Sequence, residues 1–368
     1  MQQTLYPKLI TDALQNVRYP GTGKNIVESG MVEDDIRIEG RKVSFSLIFP
    51  RATDPFIKSL VKAAEAAILT YVAPDVDIKG NINVKYAYEE PVKDKPLKGV
   101  KNIIGISSGK GGVGKSTVAS NLAVALAREG YKVGLLDADI FGPSVPKMFG
   151  AEGAELFIHE VDGKNLIIPF EKYGVKMLSI GFLVNQDSAQ VWRGGMASRA
   201  LTQLITEGDW GDLDYFLIDM PPGTSDIHLT LVQTLGITGV VVVSTPQQVA
   251  LADARRGITM FKDERINVPI LGLVENMAWF TPEKHPDEKY YIFGKEGAVE
   301  LAREQGVRVL GQIPVVMSIC EGGDGGKPVA LGDTMVAQAF MHVAHELIDA
   351  VDARNSQQPP TQVVSVKH

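Results

Sequence analysis

The sequence predicts an α/β protein, a parallel sheet clad in helices on both faces, preceded by a small α+β domain. Three observations carry that expectation. Uninterrupted apolar runs such as Gly239–Ser244 alternate with helical segments after residue 99, as strands buried on both faces do. A glycine-rich stretch, Ser108–Thr117, falls where the first of those runs gives way to a helix. Between the two parts, Pro91-Val-Lys-Asp-Lys-Pro-Leu-Lys98 is charged, proline-containing and without apolar period, so it reads as a linker. The expected boundaries are 1–90 for the small domain, 91–98 for the linker and 99–353 for the large domain. A polar tail over 354–368, with Pro359-Pro360, is expected to be disordered.

Taken in order, Tyr6 to Val17 has Leu9, Ile10, Ala13, Leu14 and Val17 on one helical face. Ile36–Ile38 and Val43–Phe49 alternate like half-buried strands. Asp54-Pro55 reads as cap and first turn of a helix running to Leu69, and Ile82 to Tyr88 as the last strand of this part. In the large domain, Asn102–Ser107 is a buried strand, Lys115–Glu129 a helix closed by Gly130, and Lys132–Leu136 a second strand. Further strands are expected at Tyr215–Ile218, Gly239–Ser244, Ile270–Val274 and, last, Val309–Ile313. Ligands of such a sheet bind at the carboxyl ends of the strands.

Bulk properties narrow the function classes. The chain has 368 residues, 45% of them hydrophobic, enough for one large core and a smaller one. Its formal net charge of −7 disfavours a nucleic-acid partner. No cationic segment leading into an apolar run opens the sequence, and no apolar stretch is long enough to span a bilayer. A cytoplasmic protein without a membrane partner is therefore expected. The single cysteine, Cys320, excludes an intrachain disulfide.

The glycine-rich stretch reads Ser108-Gly-Lys-Gly-Gly-Val-Gly-Lys-Ser-Thr117. Gly109, Gly114, Lys115 and Ser116 stand where a phosphate-binding loop requires them. In such a loop the backbone N–H groups of Gly109, Lys110, Gly111, Gly112, Val113 and Gly114 curl around phosphates. Lys115 reaches the terminal phosphates of ATP or GTP, and the Ser116 hydroxyl, next to Thr117, ligates Mg²⁺. This makes the large domain a P-loop NTPase. Lys110 is an additional cation that the loop does not need for its own nucleotide, which points to a switch; the alternative is a solvated loop lysine. Gly109, Gly111 and Gly114 also fit a dinucleotide-binding turn, with Asp137 placed about twenty residues on, after a strand. A lysine directly after the last glycine would crowd a pyrophosphate, so that reading is set aside.

Two acidic motifs lie at strand ends. Asp219, in Asp219-Met-Pro-Pro-Gly223, is placed to hold Mg²⁺, and Gly223 to offer a bare N–H to a γ-phosphate. Asp137-Ala-Asp139, leading into Ile140-Phe-Gly-Pro-Ser144, carries a water-orienting acid or a solvated turn. Asn276, in Glu275-Asn276-Met277, either reads an adenine edge or acts as a cap. Trp192-Arg193-Gly194-Gly195 is either an interface or a helix start.

With these motifs in hand, the chain resembles the Mrp family of iron–sulfur cluster carrier ATPases, whose relatives include the MinD and ParA ATPases. The residues before 91 resemble the iron–sulfur assembly domain often fused in front of such ATPases. The resemblance implies a homodimer around two ATP molecules, with Lys110 reaching the partner's nucleotide. It assigns Lys115 to the phosphates, Ser116 and Asp219 to Mg²⁺, Asp139 to the attacking water and Asn276 to adenine. It implies slow ATP hydrolysis and transfer of an iron–sulfur cluster to apoprotein recipients in company with iron–sulfur assembly proteins. The family's cluster site is a Cys-Pro-x-Cys shortly after the Glu-Asn-Met motif. Here Pro282 remains, but Thr281 and Lys284 stand where thiolates belong, and Asp54 replaces a cysteine before Pro55. Iron in a sulfide cluster wants thiolate ligands. Glu283, His285 and Asp287 offer N and O donors or form a solvated loop; Cys320 offers one thiolate per subunit or is a small half-buried residue. A carrier, a cargo-free MinD-like switch and an assembly scaffold therefore remain open.

Overall fold

The computed structural model describes residues 5–20, 23–49, 54–86, 96–140, 142–161, 163–183, 194–282, 285, 287–359 and 363. Contacts divide the chain into two compact units, Met1–Asp94 and Lys95–His368.

In the first unit, helices α1 (Pro7–Leu14) and α2 (Ile57–Tyr71) pack on a sheet of β1 (Arg37–Glu39), β2 (Lys42–Phe49) and β3 (Ile82–Tyr86). The strand order is β1-β2-β3, with β1 antiparallel and β3 parallel to β2. Leu60, Ala64, Ala67 and Ile68 form the buried stripe of α2, at the spacing of one helical face. Two expected boundaries move. Helix α1 stops at Leu14, although Val17 beyond it is still buried. Helix α2 starts at Ile57, not at Asp54. The Asp54 carboxylate instead accepts the Phe56 N–H (2.8 Å) and the Tyr19 hydroxyl, an Asx-type turn that competes with a helical start. Residues 87 and 88 of the expected last strand lie outside the described residues.

The second unit runs β4 (Val100–Ser108), α3 (Lys115–Arg128), β5 (Val133–Asp137), α4 (Val145–Met148) and a hairpin of β6 (Ile158–Val161) with β7 (Lys164–Ile167). It continues through β8 (Phe170–Lys172), β9 (Val175–Ser179), α5 (Gly194–Glu207), β10 (Leu213–Asp219), α6 (Asp226–Thr234), β11 (Gly239–Ser244) and α7 (Gln248–Lys262). Last come β12 (Ile270–Phe280), α8 (Gly297–Gln305), β13 (Val309–Val315), α9 (Met317–Asp324) and α10 (Met335–Gln357). The main sheet has the order β13-β12-β11-β4-β10-β5-β9-β8, parallel throughout except for β8 against β9. Strand β11 shows how both faces are filled. Val241 and Val243 join the core under α3 and α10, while Val240 and Val242 join the core under α5 to α8.

Three expectations change in this unit. Strands β8 and β9 extend the sheet where no strand was expected. Strand β12 runs on to Phe280, so Glu275-Asn276-Met277 lies inside it, with Met277 at φ 56°. The segment expected to be a disordered tail from Arg354 is helical to Gln357. Trp192 and Arg193 lie outside the described residues, as do residues 91–95 of the linker.

Candidate functional site

Strands β4, β5 and β10 lie side by side, and their parallel register brings Ile106, Asp137 and Asp219 level at the carboxyl edge. From that edge β4 enters the glycine loop and the loop enters α3. A Cβ at Gly109 would lie 2.2 Å from the backbone carbon of Asp253, so this close approach to α7 admits only glycine. Gly114 turns the chain into α3 at φ 81°, a left-handed conformation suited to glycine. The Asn276 side-chain amide, 6% exposed, donates to the Val113 carbonyl at 2.8 Å. Asn276 thus braces the loop from β12, an arrangement that neither a cap nor a base reader had suggested.

Lys115, Asp219 and Asp139 converge. Lys115 is 6% exposed, and its Nζ donates to Asp219 Oδ1 at 2.6 Å while lying 3.6 Å from Asp139 Oδ2. Burial pushes the Asp219 carboxyl up from the usual carboxylate range; Lys115 and the Ser116 hydroxyl pull it down, and Asp139 pushes it up again. Asp219 Oδ2 is fully buried with no hydrogen-bond partner. An anionic oxygen in that state is expensive unless a proton or cation meets it. The donor set fits a divalent metal: a hard carboxylate oxygen beside the Ser116 hydroxyl.

Asp137 has a different task from the one its spacing suggested. Its Oδ1 accepts from the Asp139 N–H (3.1 Å) and its Oδ2 from Ser179 Oγ (2.9 Å) and the Val145 N–H (3.3 Å). Burial, with the nearby Asp219 charge, holds its pKa far above the ordinary range. It fastens the turn that carries Asp139. The Asp-x-Asp spacing was the available signal, because an aspartate commonly accepts the N–H two residues on.

A cavity of about 190 Å³ opens over the loop, lined by Lys110, Gly112, Lys115, Ser116, Asp139 and Pro222. It adjoins a mostly apolar cleft of about 480 Å³, the two sharing Gly114, Thr117, Ser144 and Met148. Asn276, Met277, Pro314, Ile319 and Cys320 line the cleft. Lys110 is partly exposed at the cavity wall. Gly223 departs from expectation: its N–H is not bare but donates to the Ser108 carbonyl at 2.8 Å. A larger hollow of about 660 Å³, lined by Lys98, Lys101 and Thr238, is far less suggestive. It flanks the amino ends of β4 and β11, the wrong end of a parallel sheet for its ligands.

The residues considered for cluster binding do not converge. Cys320, on α9, is exposed rather than half-buried, and its Sγ donates to Asp324 Oδ2 at 3.6 Å. The Asp324 charge raises the thiol pKa, which opposes formation of a ligating thiolate. His285 and Asp287 are exposed, and Glu283 lies outside the described residues. Among the described residues no group of three or more His, Cys, Asp or Glu is placed to hold a metal ion. Phe280 and Tyr290 instead pair in an isolated antiparallel bridge. They exchange backbone hydrogen bonds of 2.8 and 2.9 Å, and the Lys289 ammonium sits 3.9 Å from the centre of the Trp279 ring. No helix among the described residues is long and apolar enough to cross a membrane.

Known proteins match both units. The family of NUBPL iron-transfer P-loop NTPases matches residues 99–348, and the family of iron-sulfur cluster assembly proteins matches residues 8–79. An iron-sulfur cluster carrier protein of Synechocystis is 42% identical over 93% of this chain and 98% of its own length. Another so named, from Aquifex aeolicus, is 49% identical over 71% of each chain. Among solved structures, a nucleotide-binding protein of Archaeoglobus fulgidus in complex with ADP is 37% identical, with a TM-score of 0.56. That likeness covers 65% of this chain and 91% of the other. With a phosphate loop, two strand-end acids and a match across its large unit, the chain belongs to the family of NUBPL iron-transfer P-loop NTPases.

Proposed function

We propose that this protein binds and hydrolyses ATP as a homodimer and carries iron–sulfur clusters to apoprotein recipients. The observation that carries the nucleotide half is the Lys115–Asp219–Asp139 cluster at the mouth of the glycine loop, with one Asp219 oxygen buried and unmet. The phosphates occupy the smaller cavity, against the loop N–H groups and the amino end of α3. The base and ribose occupy the apolar cleft, where Asn276 and Met277 form the wall. Asp219 and Ser116 hold Mg²⁺, which supplies charge neutralisation to the phosphates. Lys115 leaves Asp219 for the terminal phosphates, and Asp139 then orients the attacking water. Lys110, partly exposed at the cavity wall, reaches the nucleotide of a second copy and neutralises charge there.

The carrier half rests on the family and on the relatives named as cluster carriers. A specific observation favours a second reading, a nucleotide-driven switch or scaffold without cargo. The single cysteine is exposed beside a carboxylate that keeps it protonated, and two copies supply only half the thiolates of a four-cysteine site. Anaerobic reconstitution with iron and sulfide separates the two. A carrier yields a coloured, iron-containing protein whose cluster passes to an apo-ferredoxin. A colourless, iron-free protein that still hydrolyses ATP overturns the carrier reading and leaves the switch.

A further inference from the structure

The loop between β10 and α6, Met220–Ser225, is held at two points. At one the Gly223 N–H donates to the Ser108 carbonyl at 2.8 Å, tying the loop to the phosphate loop. At the other, the Ser225 N–H donates to Nδ1 of His228 at 3.2 Å, and Ser225 Oγ lies 3.2 Å from the same nitrogen. His228 is 1% exposed, in the first turn of α6, its ring centre 6.1 Å from that of Phe261 on α7. Because Nδ1 accepts, the ring proton belongs on Nε2, which is buried. Burial pushes the imidazole pKa down to about 4, and the Lys115 charge adds to the drop. The ring is therefore neutral and keeps its acceptor at neutral pH. This buried imidazole closes a capping box with Ser225 at the start of α6 and so fixes the root of the loop that carries Gly223.

We propose that His228 is a positioning residue for the terminal phosphate. It pins Ser225 so that Gly223, which precedes it in the loop, can move by itself, trading the Ser108 carbonyl for a γ-phosphate oxygen. This deepens the nucleotide reading above and rests on it. ADP lacks the γ-phosphate, so the pin affects ATP binding and leaves ADP binding alone. An acceptor at the Nδ1 position is what the function needs. Asparagine places its carbonyl oxygen there; glutamine carries it one bond too far.

The test uses the full chain with Mg²⁺ and compares wild type, His228→Asn and His228→Gln for binding of ADP and of a non-hydrolysable ATP analogue. In His228→Asn the preference for the ATP analogue over ADP stays within about twofold of wild type. In His228→Gln that preference falls about tenfold with ADP affinity unchanged, the worth of one hydrogen bond. Equal preferences in the two variants, or parallel loss of ADP and ATP binding, overturn the proposal. If the glutamine variant does not fold, as judged by its thermal melt, His228→Asn decides alone: a lost ATP preference overturns it. A wild-type protein that binds neither nucleotide overturns the nucleotide site itself, a distinct result.

Discussion

Lys115 holds two acids at once, and its removal is the most direct test at the scale of a single residue. Lys115→Ala is expected to lower ATP hydrolysis by a factor of about a hundred or more, as loss of a charge-stabilising donor does; unchanged turnover in folded protein would refute the site. His228 sets a pH dependence. Its folded pKa of about 4 lies below an ordinary value of about 6.5, so the unfolded chain binds the proton more readily. The stability is fully present above pH about 6.5 and falls as pH drops toward about 4, by roughly 3 kcal/mol in all. Denaturant midpoints at pH 7 and pH 5 should therefore drop further in wild type than in His228→Gln, and equal drops would count against it. The residues of the loop and the strand-end acids were legible because chemistry constrains their types and spacing. His228 was not, since a lone histidine on a helix carries no spacing signal, and neither was the Gly223 bond to Ser108, which depends on two loops meeting in space.

At the scale of elements, the buried parallel strands were legible and the edge was not. Gly239–Ser244 was read with its observed limits because every residue in it is buried. Phe170–Lys172 and Val175–Ser179 were missed because an antiparallel edge pair this short has too few residues to show a period. The sequence places the start of α2 too early, because a proline after aspartate reads as a first turn whether it opens a helix or a tight turn before one. The close contact between the glycine loop and α7 makes a sharper prediction. Gly109→Ala would drive a methyl group into the backbone of Asp253, and overpacking of this kind destabilises by about 1–3 kcal/mol. Urea unfolding should show it together with weakened nucleotide binding; an alanine variant of wild-type stability would mean that α7 yields freely.

At the scale of the whole molecule, partnership between copies is the open prediction. If Lys110 acts across a dimer, Lys110→Ala mixed with Lys115→Ala should recover part of the hydrolysis that neither performs alone, because hybrid dimers hold one intact composite site. Absence of recovery at every mixing ratio would place Lys110 in its own subunit or in solvent. The Lys115–Asp219 pair has a consequence for how the protein would meet its proposed ligand. The ammonium group that a polyphosphate needs is already neutralised from within, so the resting pocket advertises little attraction to stray anions. A newcomer that brings its own divalent counterion can hand that ion to the carboxylate as it draws the lysine away, and each displaced charge finds a replacement. Bare phosphate, arriving alone, would strand the carboxylate, so under the proposed function the closed internal pair would act as a filter for the metal-laden triphosphate.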